Sequence, residues 1–190
     1  MKDLILNLLG TVERNNILNL VSYIGNETDF FTAPASTRYH GSYEGGLAEH
    51  SYGVYQCLCS ILETKEFKQY KFNDDSIIIC SLLHDICKTN FYKVSMRNTK
   101  DEFGQWIKIP YYEVEDKHPY GHGECSVMLI EEFITLTIEE KYAIRWHMGG
   151  FDEAVKGGSY SIGLAYNKYP LALALHLADM METYLINKGE

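Results

Sequence analysis

The chain has 190 residues, 46% of them hydrophobic, enough for one domain with a full core. Its formal net charge is −9, which argues against nonspecific binding of long nucleic acid, because phosphate backbones call for a basic face. The start, Met1-Lys2-Asp3-Leu4-Ile5, opens no signal-peptide stretch, no apolar run is long enough to span a bilayer, and the five cysteines form no CxxC pattern. The expectation is a cytoplasmic protein that does not engage membranes.

In chain order, residues 3–24 read as one amphipathic N-terminal helix with Leu4, Leu8, Val12, Ile17, Leu20, Val21 and Ile24 as its apolar side. A loop through Gly25 to Gly46 follows, holding Pro34 and His40. The second helix runs from about Leu47 to Phe67, with His50 on the same stripe as Leu47, Val54, Leu58, Ile61 and Leu62. Asn73-Asp74-Asp75-Ser76 caps a third helix rich in isoleucine, and His84-Asp85 falls near its end.

Residues 91–117 change character. Tyr92–Met96 and Gln105–Ile109 alternate as strands do, residues 98–104 give a turn signal, and Pro110 and Pro119 bound the rest, so a β-hairpin is inserted into an otherwise all-α chain. A helix starts near His122. Thr137-Ile138-Glu139-Glu140 opens another with a capping-box pattern, which ends at His147 before Gly149-Gly150. After the loop at Gly157-Gly158-Ser159, the last helix runs from about Pro170 to Ile186, apolar almost all round through Leu177, and is expected at the centre.

One buried histidine is ordinarily a hydrogen-bonded core residue. Here His50, His84, His122 and His147 each stand on or at the end of an inward stripe of a different helix, and Asp179 stands four residues after Leu175 in the most apolar one. Imidazoles and carboxylates are costly to bury unless something pairs with them, and a divalent metal pairs with all of them. Nitrogen and oxygen donors without thiolate suit Mn, Fe, Co, Ni or Zn, with Mg possible, better than a closed structural zinc site. On a continuous helix His84 and Asp85 point about 100° apart, which suits a site where Asp85 bridges or a second ion lies alongside.

The order His…His-Asp…His…His…Asp resembles the HD-domain metal-dependent phosphohydrolase superfamily. The local words are Gly45-Gly46-Leu47-Ala48-Glu49-His50-Ser51, Leu82-Leu83-His84-Asp85-Ile86-Cys87-Lys88, Gly121-His122-Gly123-Glu124, Ile144-Arg145-Trp146-His147-Met148-Gly149-Gly150 and Leu175-His176-Leu177-Ala178-Asp179. The likeness runs from about Pro34 to Tyr184. Residues 34–54, His122 and His147 look most like the HD domain of bacterial 3′–5′ exoribonucleases, from which the acidic charge departs. Residues 92–122 and 144–170 look like small stand-alone HD proteins. The resemblance implies an HD-domain helical bundle over residues 1–190. It implies His50, His84, Asp85 and Asp179 as ligands of one ion, with His122 and His147 completing a second and Asp85 shared.

The expected function is a metal-dependent phosphohydrolase acting on phosphate esters of nucleotides or short oligonucleotides, leaning to phosphodiesterase, with a metal-bound hydroxide as nucleophile. A nucleotide phosphatase acting on monophosphates or triphosphates is the second reading; a nucleotide-binding sensor and a diiron oxygenase are further alternatives. Lys88, one turn beyond His84, is placed to stabilise transition-state charge. His118 is a candidate proton donor to the leaving group. His40, Arg97, Arg145 and Lys156 are candidate substrate contacts, and Glu49 and Glu124 candidate hydrogen-bond partners of the ligands beside them. His176 faces away from Asp179 and reads as a core residue or a support for the ligands, not as a ligand itself. A homodimer is expected from general frequency alone.

Overall fold

A computed structural model describes residues 1–117 and 119–187. It is predominantly helical, with nine α-helices and a two-stranded antiparallel hairpin among the described residues.

The N-terminal segment is two helices, not one. Helix α1 spans Lys2–Gly10 and α2 spans Ile17–Asn26. The break falls in a polar run ending in Asn15-Asn16, where Asn16 takes a left-handed φ of 66°. Tertiary contacts hold it open: the Glu13 amide and the Arg14 guanidinium both donate to Asp75, and Arg14 also donates to Glu140 at 2.7 Å. The buried face of α1 is Ile5 and Leu9, with Leu4 turned to solvent.

Helix α3 (Gly46–Leu62) ends five residues before the expected Phe67. His50 sits on its buried stripe with Leu47, Val54, Leu58 and Ile61. Helix α4 (Asp74–Leu83) is capped as expected, by the Asn73 side chain accepting from the Asp75 amide. It stops at Leu83, and a short 3-10 turn, Ile86–Lys88, follows.

Strands β1 (Tyr92–Lys100) and β2 (Trp106–Val114) are longer than expected, and the turn shrinks to the residues between them. Pro110 lies inside β2, opposite Met96, instead of bounding it. Proline is tolerated there because β2 has a free outer edge on which its missing N–H is not needed.

Helix α5 spans His122–Glu131. Helix α6 (Ile138–Arg145) carries the expected capping box between Thr137 and Glu140, and ends two residues short of His147. The glycine loop lies between two short helices, α7 (Glu153–Lys156) and α8 (Ser161–Lys168). Helix α9 (Pro170–Met181) runs on into one π-helical turn, Glu182–Ile186. It packs against α3 and α6 and buries Leu171, Ala172, Ala174, Leu175 and Ala178 completely, although Leu177 is exposed. No helix among the described residues is long and apolar enough to cross a membrane.

Candidate metal centre

The five side chains of the cluster arrive from four segments. His50 comes from α3, His84 and Asp85 from the end of α4, His147 from the turn after α6 and Asp179 from α9. Two overlapping groups, His50–His84–Asp85 and His84–His147–Asp179, each bring their ligand atoms within 4.8 Å of one another.

His84 and Asp85 converge instead of diverging. The helix ends at Leu83, and Asp85 leaves helical geometry at φ −111°, ψ 19°. Its Oδ2 thereby lies 3.4 Å from His84 Nε2 and 3.7 Å from His50 Nε2, while Oδ1 lies 3.4 Å from His147 Nε2. Asp179 Oδ1 is 3.4 Å from His50 Nε2.

The outer ring nitrogens fix the state of the inner ones. His84 Nδ1 donates to the Ser81 carbonyl at 2.8 Å and His147 Nδ1 to the Ile144 carbonyl at 2.7 Å. A carbonyl only accepts, so each Nδ1 carries the proton and each neutral ring presents a bare Nε2 lone pair to the cluster. His50 Nδ1 is held by the carboxylate of Glu182, a buried residue. His50 Nε2 and His84 Nε2 face each other at 3.3 Å. Asp85 Oδ1 and His147 Nε2 are buried and make no hydrogen bond. Convergent lone pairs and carboxylate oxygens of this kind suit a divalent cation.

The electrostatics record the same crowding. Burial opposes charge on His50, but hydrogen bonding to Asp179 and Glu182 outweighs it and lifts its pKa to about 9. His147 is raised too, as the Asp85 carboxylate overcomes burial. Asp85 itself stays well below the usual carboxylate range because Lys88 and His84 override its burial. Lys88 is also buried; it donates to Asp85 Oδ2 at 2.7 Å, and that carboxylate keeps it charged despite desolvation.

His40 stacks near His50, ring centroids 4.7 Å apart, and neither of its ring nitrogens has a hydrogen-bond partner. Burial, reinforced by His50 and Lys88, lowers its pKa to about 4. A tight loop carries it: the Ala35 amide donates to the Gly41 carbonyl, Gly41 takes φ +58°, and a Cβ on Gly46 would lie 2.0 Å from that carbonyl oxygen.

The remaining expected residues are distributed differently. His122 is apart from the converged groups; its Nδ1 lies 3.4 Å from Cys87 Sγ and its ring meets Phe91 edge-on. Arg145 is locked by Asp152 at 2.6 Å, by Glu124, and by stacking on Trp146. Arg97 lies over Tyr111, five residues along β1 from Tyr92. Glu49 bonds the Tyr43 hydroxyl, so neither Glu49 nor Glu124 supports a neighbouring histidine. Glu182, which sequence reasoning missed, does so. His176 donates to the His147 carbonyl at 2.7 Å and so braces the turn that carries that ligand. Its ring fills the space a side chain on Gly149 would need. His118 lies outside the described residues.

A cavity of about 800 Å³ has Cys87, His122, Met148 and Lys156 in its wall, Cys87 and Met148 lying close in the chain to Asp85 and His147.

No family model and no solved structure matches the chain. A relative in sequence is the dihydroneopterin 2′,3′-cyclic phosphate phosphodiesterase of Methanocaldococcus jannaschii, 38% identical over 72 residues. The match covers 37% of this chain and 29% of the relative, so the chain spans under a third of that protein.

Proposed function

We propose that this chain is an HD-type metal-dependent phosphohydrolase, one domain with the hairpin inserted in it, that cleaves small phosphodiesters such as nucleoside cyclic phosphates. The observation that carries the reading is the convergence of His50, His84 and His147 on Asp85 with their Nε2 atoms turned inward. The likeness to a cyclic phosphate phosphodiesterase supports the reaction class.

The donor set fits one divalent ion held by His50, His84, Asp85 and Asp179, with His147 completing it. Such an ion supplies Lewis acidity and lowers the pKa of bound water. A second ion of the kind the resemblance implies needs His122 to leave Cys87. Lys88 is the buried cation next to this centre, where it stabilises charge on a nonbridging phosphate oxygen. His40, neutral and without partners, donates to the same phosphate. Glu182 fixes the His50 ring and tautomer.

The test is metal analysis of the purified protein, with assays of nucleoside 2′,3′-cyclic phosphates in Mn²⁺, Fe²⁺, Co²⁺, Ni²⁺ and Mg²⁺. Asp85→Ala is expected to remove both metal and activity. A variant that stays metal-replete and fully active refutes the centre.

A further inference from the structure

The cavity of about 800 Å³ has a composition that selects among phosphate esters. Its wall includes Phe91, Tyr120 and Phe151, together with Leu129 and Met148. Phe91 also meets His122 edge-on, ring centroids 5.7 Å apart, and the same wall holds Cys87, two residues after the ligand Asp85, and Met148, which follows the ligand His147.

The turn that presents Phe91 is strained. Asn90, also in the wall, adopts a φ of +53°, one of two non-glycine residues with positive φ among the described residues. Its amide is tied to Asp29 at 2.6 Å.

Charge decides what fits. Among the described residues, three cationic side chains and four carboxylates line the cavity. Arg145 is held by two of those carboxylates. A nucleoside triphosphate, with roughly four negative charges, finds no net positive field there. A flat uncharged ring finds aromatic faces and room, since ligand sites of this kind run to about 300–1,000 Å³.

We propose that this cavity receives the flat, uncharged heterocycle of a substrate bearing a single phosphodiester, such as a purine nucleoside cyclic phosphate, and turns away polyphosphates. This rests on the phosphohydrolase reading above and names its substrate class.

The experiment compares guanosine 2′,3′-cyclic phosphate, glycerol 1,2-cyclic phosphate and GTP with the Mn²⁺-loaded enzyme. Stacking on the aromatic wall is expected to favour the nucleoside ester over the glycerol ester about tenfold or more in kcat/KM. GTP is expected to be hydrolysed at least about a hundredfold more slowly than the nucleoside ester.

Phe151 is 48% exposed, so its replacement spares the core. Phe151→Ala is expected to raise KM for the nucleoside ester about fivefold with little change in kcat, and Phe151→Tyr to retain the preference. Equal kcat/KM for the two cyclic esters, a kcat loss in place of a KM rise, or a preference for GTP overturns the cavity assignment while leaving the phosphodiesterase standing. Inactivity on all three overturns the phosphohydrolase reading and this inference with it.

Discussion

The carboxylate of Glu182 accepts the Nδ1 proton of His50 from within the core, three residues beyond Asp179 on the π-helical turn that continues α9. The pair sets the ring so that Nε2 points at Asp85 and Asp179. A carboxylate behind a ligating imidazole both orients it and raises its basicity. Glu182→Gln keeps the shape but weakens the acceptor. Metal affinity is expected to fall about 10–100-fold, the range for such outer partners. Titration with Mn²⁺ under calorimetry checks this; unchanged affinity reduces Glu182 to a packing role.

Lys88 and Asp85 form a buried charged pair in the site, at 2.7 Å. If the lysine serves a phosphate in the loaded enzyme, Lys88→Met is expected to lower kcat about 10²-fold, the effect of losing one oxyanion donor. Metal content should not change. The chelated variant is expected to be less stable than chelated wild type, because Asp85 is then a buried carboxylate without its cation. Full turnover in the metal-replete variant returns Lys88 to a purely structural partner of Asp85.

Arg14 holds together three segments by donating to Asp75 and to the fully buried Glu140, which also accepts from Ser76 at 2.6 Å. Arg14→Ala strands a buried carboxylate with only neutral donors. The expected cost is about 2–3 kcal/mol, below the usual figure for a buried pair since Arg14 is partly exposed. Thermal denaturation of the metal-loaded protein reads it as a fall of roughly 5–10 °C. A shift of under about one degree would show that Ser76 and the capping-box contacts suffice.

The ligand candidates were legible because helical periodicity puts a residue on a face without knowledge of its partner. His50 shares its stripe with Leu47, Val54 and Leu58, and Asp179 lies four after Leu175. Roles that depend on distant pairing were not legible. Arg145 looks like a free cation until Asp152 and Glu124 claim it. Glu49 and Glu124 were candidates by proximity, yet residues one or two apart on a helix point about 100° or 200° apart, whereas Glu182, three after Asp179, had the spacing that shares a face. The same 100° argument misled for His84 and Asp85, since it assumes a helix that in fact stops at Leu83. The break after α1 depends on Arg14 finding Asp75 and Glu140, contacts set by the fold and not by local propensity.

The cluster also predicts how stability responds to pH, with opposite signs in the presence and absence of metal. In the metal-free protein His50 is raised from 6.5 to about 9. Below pH 6.5 it is protonated both folded and unfolded, and its pairing with Asp179 and Glu182 stabilises the fold in full. As pH rises toward 9 the folded form alone must keep its proton, and the stabilisation is lost, on the order of 3 kcal/mol at most. Asp85 and Asp179 are depressed, so their contribution is present above the ordinary carboxylate pKa and lost as pH falls below it. Chelated protein should therefore lose stability from about pH 6.5 toward pH 9 as His50 releases its proton, and also as pH falls below 6.5, where the unfolded chain protonates His40 before the folded one does, so its highest Tm lies near pH 6.5. With Mn²⁺ present the cation takes the place of the histidine proton, so binding tightens as protons leave and Tm should hold or rise over the same range. Thermal denaturation at pH 5 to 9, with and without chelator, gives both curves. Parallel curves would mean that no ion competes with the proton on His50, and that the cluster is stabilised by its internal ion pairs alone.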